Sequence, residues 1–339
     1  FRMIIVALLF VAVLVYCFFI NLILGLPPGP PPLPLLGNML SFQWDLDTVL
    51  LGWKARYGRV FTVWLPNPMV VIGDHKLLQE HLVRNGNVYL ARRNPAQLLD
   101  IWFGGQYGLG FQDNSIVTET RKFALKTLHE VGFGSAALED SVHNCALEIV
   151  TRWRESAGAE VDVTENISKA IGNVVWKVIF GVDLDFDNEL VPKFRKLQQD
   201  FLPLVGGPLM MALESFPFLR KIDFLFNNHF RRLKAMLDES NAMIEEGIKE
   251  TEKSFNPDNQ AGSYVEAFLK EMRNNEETGN PQGSFHYHQL LASASNLWGA
   301  GFDTTVNTLR LCCIELVNHP ESQRKLQNEI DEIIGTRVS

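Results

Sequence analysis

The strongest constraint on the fold of this chain is a helical apolar pattern from Phe285 to Asn318 that carries two glycines, Gly299 and Gly301, in its middle. A glycine inside a helix costs roughly 1 kcal/mol relative to alanine, so two of them so close together need a reason. An acid and an alcohol follow at once, in Ala300-Gly301-Phe302-Asp303-Thr304-Thr305. Two readings stand. In one, the helix is locally loosened, and a carboxylate beside a hydroxyl holds a water or small ligand and relays protons to it. In the other, Gly301 ends one helix and Asp303 or Thr304 caps the next.

The chain has 339 residues, enough for one large core or two medium ones, and its composition is globular, at 46% hydrophobic and 21% charged. A formal net charge of -8 argues against nucleic acid as a partner, since phosphate binding needs a basic surface. The cysteines Cys17, Cys145, Cys312 and Cys313 make no disulfide framework and read as reduced thiols, which suits a cytosol-facing domain.

From Ile4 to Leu24 the chain is almost wholly apolar, with Asn21 its strongly polar exception. At about 1.5 Å per residue such a helix reaches roughly 30 Å, the thickness of a bilayer core. A cleaved signal peptide has a shorter apolar region and a small-residue cleavage site. Here Leu24-Gly25-Leu26 runs into Pro27-Pro28-Gly29 instead, so residues 1–25 are expected to be an uncleaved transmembrane anchor in contact with lipid. Residues 26–38 then form a proline-rich linker, stiff because packed prolines fix φ and remove donors.

Past the linker, Val49 to Tyr57 is expected to be a helix stopped by Gly58. Val60 to Leu65 and Met69 to Ile72 are β-rich runs around Pro66-Asn67-Pro68, hence a hairpin. From Lys76 onward the pattern is mainly helical. Phe230, Leu233, Leu237, Ile244 and Ile248 recur at helical spacing, and Asn274 to Gly283 reads as a polar loop. Pro320 opens a last helix, with Glu321 and Lys325 four apart and Leu326, Ile330 and Ile334 on its core side. The apolar stretch Phe201 to Phe226 is broken by Gly206, Gly207, Pro208, Glu214, Pro217 and Arg220. It reads as core helices around a short turn, or else as a surface loop that dips into a membrane.

Taken in order, the anchor, the PPGP linker, the Tyr57-Gly58 turn before a hairpin, the AGFDTT helix and the following His319-Pro320-Glu321-Ser322-Gln323 helix resemble the N-terminal two-thirds of a microsomal cytochrome P-450, a haem-thiolate monooxygenase. Val88-Tyr89-Leu90-Ala91-Arg92 and Thr120-Arg121-Lys122-Phe123-Ala124-Leu125 also look like helical regions of that family. The resemblance implies a mostly α fold with a small β-region (α+β), with haem buried between two long helices, behind the N-terminal transmembrane helix. It implies a cytosolic main domain on the endoplasmic reticulum membrane, electrons from an NADPH-linked flavoprotein reductase, and a small apolar substrate that receives one atom of dioxygen.

The same resemblance makes Asp303 and Thr304 the catalytic acid–alcohol pair that helps deliver protons during dioxygen reduction, with Ala300 and Gly301 leaving room for dioxygen. A hydroxyl both donates and accepts, and a nearby acid linked through water reloads it. Arg121 matches a haem-propionate contact, although the family's partner tryptophan is replaced by Val117 and the stretch Asp113 to Glu119 looks compressed. Phe103, Phe111, Leu202 and Leu297 are the expected substrate walls.

The family's cysteine haem ligand, set in a Phe- and Gly-rich loop, has no counterpart here, and neither has its Glu-x-x-Arg helix. No metal ligand is therefore assigned, and residues 39–339 are expected to be an incomplete haem-monooxygenase domain that does not bind haem normally or turn over alone. The start at Phe1-Arg2-Met3 fits that expectation. The alternative is a non-catalytic, membrane-tethered interaction or regulatory protein of this length. The acceptor Asn166-Ile167-Ser168 is expected to stay unglycosylated.

Overall fold

The computed structural model describes residues 9–13, 15–16, 19–20, 24–34, 36–42, 45–65, 67–89, 98–110, 115–132, 136–279, 283–333 and 335. In chain order the helices are α1 Leu46–Tyr57, α2 His75–Leu78, α3 Leu98–Phe103, α4 Ser115–Val131, α5 Ala136–Glu155, α6 Val163–Phe180 and α7 Leu190–Val205. They continue as α8 Pro208–Ser215, α9 His229–Ser254, α10 Tyr264–Glu277, α11 Tyr287–Asn318 and α12 Pro320–Ile333. Strands β1 (Val60–Leu65) and β2 (Asn67–Ile72) pair antiparallel after α1, with Val60 opposite Ile72. This is the mostly helical fold with a small sheet that the sequence leads one to expect. Two compact units result, one of residues 1–101 with 201–235 and one of residues 102–200 with 236–339.

In the first unit the hairpin is the organiser. Phe61, Val63 and Trp64 are buried, and α1 packs on β1. The proline-rich segment does not stand off as a spacer but lies along β1. Thr62 donates from its backbone N to the Pro28 carbonyl (3.0 Å) and from its hydroxyl to the Pro27 carbonyl (2.9 Å). Asn38 closes the far end, accepting from the Trp64 N–H at 2.9 Å and donating to the Pro31 carbonyl at 3.2 Å. Prolines have carbonyls to offer but no N–H, so they dock as acceptors on a strand that still has donors.

Most of the apolar run 4–24 lies outside the described residues, and among those described no helix is long and apolar enough to cross a membrane. Residues 9–13 are helical and exposed. The stretch Phe201 to Phe226 is divided. Leu204, Met210 and Leu213 are buried, whereas Leu202, Phe218, Phe224 and Leu225 are exposed. Pro217–Phe226 is 3-10 in character, and Asp223 at its end accepts from the N–H groups of Phe230 and Arg231 at 3.0 Å, which fixes the start of α9.

The second unit is built on α6 and α11. Asp162 caps α6, accepting from the N–H groups of Thr164 (2.8 Å) and Glu165 (3.2 Å). Trp176 and Phe180 on α6, Phe194 on α7, and Trp298 and Phe302 on α11 meet in one buried aromatic cluster. Trp176 and Trp298 lie edge to face at 5.0 Å, and Trp298 stacks on Phe302 at 5.8 Å. Leu237, Ile244 and Ile248 of α9 are buried at the spacing their sequence announces. The sequon is part of α6. Ser168 is buried and donates to the Thr164 carbonyl at 2.6 Å, so a glycosyltransferase has no extended segment to engage.

Three expectations are corrected. Residues 274–277 are not loop but the last turn of α10, held by an Arg273–Glu277 ion pair at 2.9 Å. In α12 Glu321 meets His319 (3.4 Å). The apolar side of α12 faces no core here: Leu326 and Ile330 are exposed, and Ile334 lies outside the described residues.

Candidate functional site

The helix α11 is continuous from Tyr287 to Asn318, so neither a break nor a loosened turn occurs at the glycines. Their reason is packing. A methyl group at Gly301 would come within 3.3 Å of a Val175 methyl, and one at Gly299 within 3.2 Å of the Gln198 amide nitrogen. Glycine lets α11 lie against its neighbours where alanine would already be tight.

Three amide- or acid-bearing residues, Gln289, Asn296 and Asp303, recur every seven residues and so form one stripe along α11. The first two are occupied by the segment 104–110, which crosses the helix like a strap. Gln289 is fully buried. Its side-chain oxygen accepts from the Gly108 N–H at 3.0 Å, and its nitrogen donates to the Gly108 carbonyl (3.0 Å) and to the Thr120 hydroxyl (3.2 Å). Asn296 accepts from the Leu109 N–H at 2.8 Å. Gly108 has φ +104, and a Cβ there would come within 2.4 Å of the Asn296 amide oxygen, so both backbone and neighbour favour glycine. Upstream, the His286 ring caps the helix, accepting from the Gln289 N–H at 3.4 Å. Burial, and then the neighbouring His288, hold its pKa below the ordinary 6.5.

Past the strap the helix opens. Ala300, Asp303 and Thr304 are all exposed. The Thr304 hydroxyl donates back to the Ala300 carbonyl at 2.7 Å, and Asn307 donates to the Asp303 carboxylate at 3.1 Å. Beside this ridge lies a cavity of about 310 Å³ lined by Leu128 of α4, Leu138 of α5, the apolar face of α6 around Val175, and Leu297, Ala300, Gly301 and Thr305 of α11. Its wall is apolar apart from the Thr305 hydroxyl.

Of the residues singled out in the sequence, the structure gathers Leu297, Ala300 and Gly301 around this cavity and sets Asp303 and Thr304 on the ridge beside it. Arg121 is exposed on α4, two turns before Leu128 and on the same face. Phe103 is buried and stacks on Trp102 at 5.0 Å, and Leu202 is exposed. Phe111 lies outside the described residues, as do the side chain of Val117 and residues 111–114 of the compressed stretch. Gln289, Leu128, Leu138 and Val175 were not anticipated. An amide repeated at seven-residue spacing inside an apolar helix is the one signal that points to the first of them.

A haem group needs a flat apolar slot, an axial donor and a cation for its propionates. The cavity offers the first, as one wall only. No cysteine or histidine lines it, and among the described residues no cluster of three metal-ligating side chains exists. Cys145 is buried on α5, Cys312 is exposed and Cys313 half-buried. The residues present therefore fit one face of a haem and do not supply its ligand.

The family model Cytochrome P450 matches residues 27–339. Curated relatives include a probable cytochrome P450 of Caenorhabditis elegans, 29% identical over 331 residues, which covers 97% of this chain and 67% of the relative. Cytochrome P450 2M1 of Oncorhynchus mykiss is 29% identical over 315 residues, covering 92% and 62%. Cytochrome P450 2C1 of Oryctolagus cuniculus is 33% identical over 317 residues, covering 93% and 63%. The chain thus spans about two thirds of the length of the relatives it matches.

Proposed function

This chain belongs to the cytochrome P450 family, and on that premise we propose that it carries the oxygen-side half of a haem monooxygenase that inserts one atom of dioxygen into a small apolar substrate. The observation that carries the reading is an exposed acid–alcohol pair, Asp303 and Thr304, on an unbroken helix beside an apolar cavity bounded by Ala300 and Gly301. A haem, when bound, would supply the reductive activation of dioxygen, with Ala300 and Gly301 of this chain against one face.

The residues of this chain handle protons and shape. Thr304 leaves the Ala300 carbonyl to donate from Oγ1 toward the oxygen being reduced, and Asp303 reloads it through water. Asn307 keeps the Asp303 carboxylate from swinging away. Ala300, with no side chain beyond its methyl, leaves space for a diatomic molecule next to Thr304. Leu297 is the substrate wall with the best support, since it faces the cavity. Phe103, Leu202 and Phe111 are retained as substrate contacts on the family resemblance alone, since among the described residues none of them lines this cavity. Arg121 pairs with a propionate, guanidinium to carboxylate. Electrons come from an NADPH-linked flavoprotein reductase. Residues 1–25 anchor the protein in the endoplasmic reticulum membrane with the main domain cytosolic, and the exposed Phe218, Phe224 and Leu225 suit contact with lipid.

The test is Thr304→Ala in the full-length holoenzyme, following reductant consumed, product formed and peroxide released. Product per reductant should fall by roughly tenfold or more, with the balance appearing as peroxide. Coupling unchanged from wild type would remove Thr304 from proton delivery and leave the cavity without its chemistry.

A further inference from the structure

Between α6 and α7 lies a second cleft, of about 560 Å³, that the monooxygenase reading does not use. Glu165 and Lys169 line it from α6. Arg195, Lys196, Gln199 and Asp200 line it from α7, at the three- and four-residue spacing of one helix face. The two helices are pinned beside it, since a Cβ at Gly172 of α6 would come within 2.6 Å of a Val191 methyl on α7. The walls are thus two closely packed helices, the kind of scaffold that holds side chains in place for a ligand.

The charges of the cleft are not balanced from within. Lys169, its side chain 13% exposed, pairs with Glu165 at 3.1 Å and Asp187 at 3.5 Å, and Asp187 is itself held by Arg152 at 2.8 Å. An ammonium has three N–H donors, so one remains. On the facing helix the Arg195 guanidinium is half-buried and Lys196 is exposed. Neither side chain has a hydrogen bond or ion pair among the described residues, and the same holds for Asp200. Three cations therefore meet in one cleft of a chain whose net charge is -8. A carboxylate would occupy Arg195 alone, whereas the oxygens of a phosphate group reach a guanidinium fork and two ammoniums together. No aromatic ring lines the cleft, so nothing is there to stack on a nucleobase. Gln199 and Asp200 instead offer an amide and a carboxylate, which suit hydroxyl groups. The volume leaves room for a small organic body beyond the phosphate.

We propose that this cleft is a binding site for a phosphorylated polyol, with the phosphate held by Lys169, Arg195 and Lys196 and the hydroxyl groups by Gln199 and Asp200. Such an ester comes free in solution or as a lipid headgroup, and the chemistry recognised is the same. The site is separate from Asp303 and Thr304 and stands whether or not they carry oxygen chemistry.

The test is calorimetry on the full-length holoenzyme at pH 7.5, where a phosphate monoester is mostly dianionic. The probes are myo-inositol monophosphate, myo-inositol and inorganic phosphate. The monophosphate should bind, with the other two at least about tenfold weaker. Arg195→Gln should weaken the monophosphate at least about tenfold with the melting temperature unchanged. Lys193→Gln removes the same charge from α7 outside the cleft, where Lys193 pairs with Glu239 at 2.9 Å, and should leave affinity within about twofold. Gln199→Leu should lower the preference for the ester over inorganic phosphate. Competition by phosphatidylcholine vesicles carrying phosphatidylinositol monophosphate then separates the sources: displacement assigns the lipid headgroup, no displacement assigns the free ester, and both support the site. No binding of the monophosphate by the wild type would overturn the proposal, as would inorganic phosphate bound equally tightly. Equal losses in Arg195→Gln and Lys193→Gln would overturn it too, because net charge alone would then attract the anion.

Discussion

One helix, α11, passes through two environments. From Gln289 to Ser295 every residue is buried, capped by His286, strapped by residues 104–110 and continued by the Trp298–Phe302 stack. From Asp303 to Asn318, Val306 is the single buried residue, and Leu311, Ile314 and Val317 stand in solvent, Val317 at 76%. The difference shows how labour is divided along the rod. The buried half fixes where the helix lies. The open half carries the acid–alcohol pair and an apolar side, Leu311, Ile314 and Val317, that is exposed among the described residues.

Substitutions that respect or violate this division test it, from the largest effect down. Trp298→Ala should destabilise the chain by about 3–5 kcal/mol in urea unfolding, because a large, fully buried ring leaves a cavity among Trp176, Phe194 and Phe302. A loss below about 1 kcal/mol would mean that the aromatic cluster is not the anchor of the buried half. Gln289→Leu should cost about 1–3 kcal/mol and loosen 105–109, since the Gly108 N–H and carbonyl lose their partners together. Protection of the Gly108 amide unchanged in hydrogen exchange would refute that role.

The cap gives a smaller, pH-dependent effect. The His286 ring sits against Tyr107 and His288 and faces the Gln289 N–H, and its folded-state pKa is lowered by burial and by His288. Its contribution is therefore whole above about pH 6.5 and is lost as pH falls through the folded value, where a charged ring meets the positive end of the helix. His286→Asn should flatten the melting temperature between pH 7 and 5 and gain up to about 1 kcal/mol at the acid end. An equal slope in both proteins would assign the pH dependence elsewhere. Smallest of all, Leu311→Lys in the open half should move stability by no more than about 0.5 kcal/mol. A loss comparable to that of Trp298→Ala would erase the contrast between the halves.

Much of this was legible in the sequence where periodicity and cap chemistry act locally. The buried Leu237, Ile244 and Ile248 of α9, the hairpin and the Pro320 start all follow from spacing and from proline's fixed φ. The AGFDTT motif located the ridge, and it did so through a family resemblance, since glycine followed by Asp and Thr is equally a cap signal on its own. What stayed hidden is long-range. The strap bonds join residues 181 and 187 positions apart in the chain, and no local pattern announces such a pair. The docking of residues 27–38 on β1 depends on carbonyls, which a reading of side chains passes over. Asn274 to Glu277 read as loop because Asn and Glu are polar, yet the Arg273–Glu277 pair carries the helix one turn further. The sequon at Asn166 read as a test of compartment, but burial of Ser168 within α6 makes it silent on either side of a membrane.

The most direct measurement is hydrogen exchange along α11 in the full-length protein, with and without haem. Exchange should be slow over 289–302 in both states and at least about tenfold faster over 303–318 without haem, with protection on haem loading centred on 300–305. Equal protection of the two halves without haem, or a haem effect that spares 300–305, would contradict the claim that the open half of this helix is the oxygen-side wall.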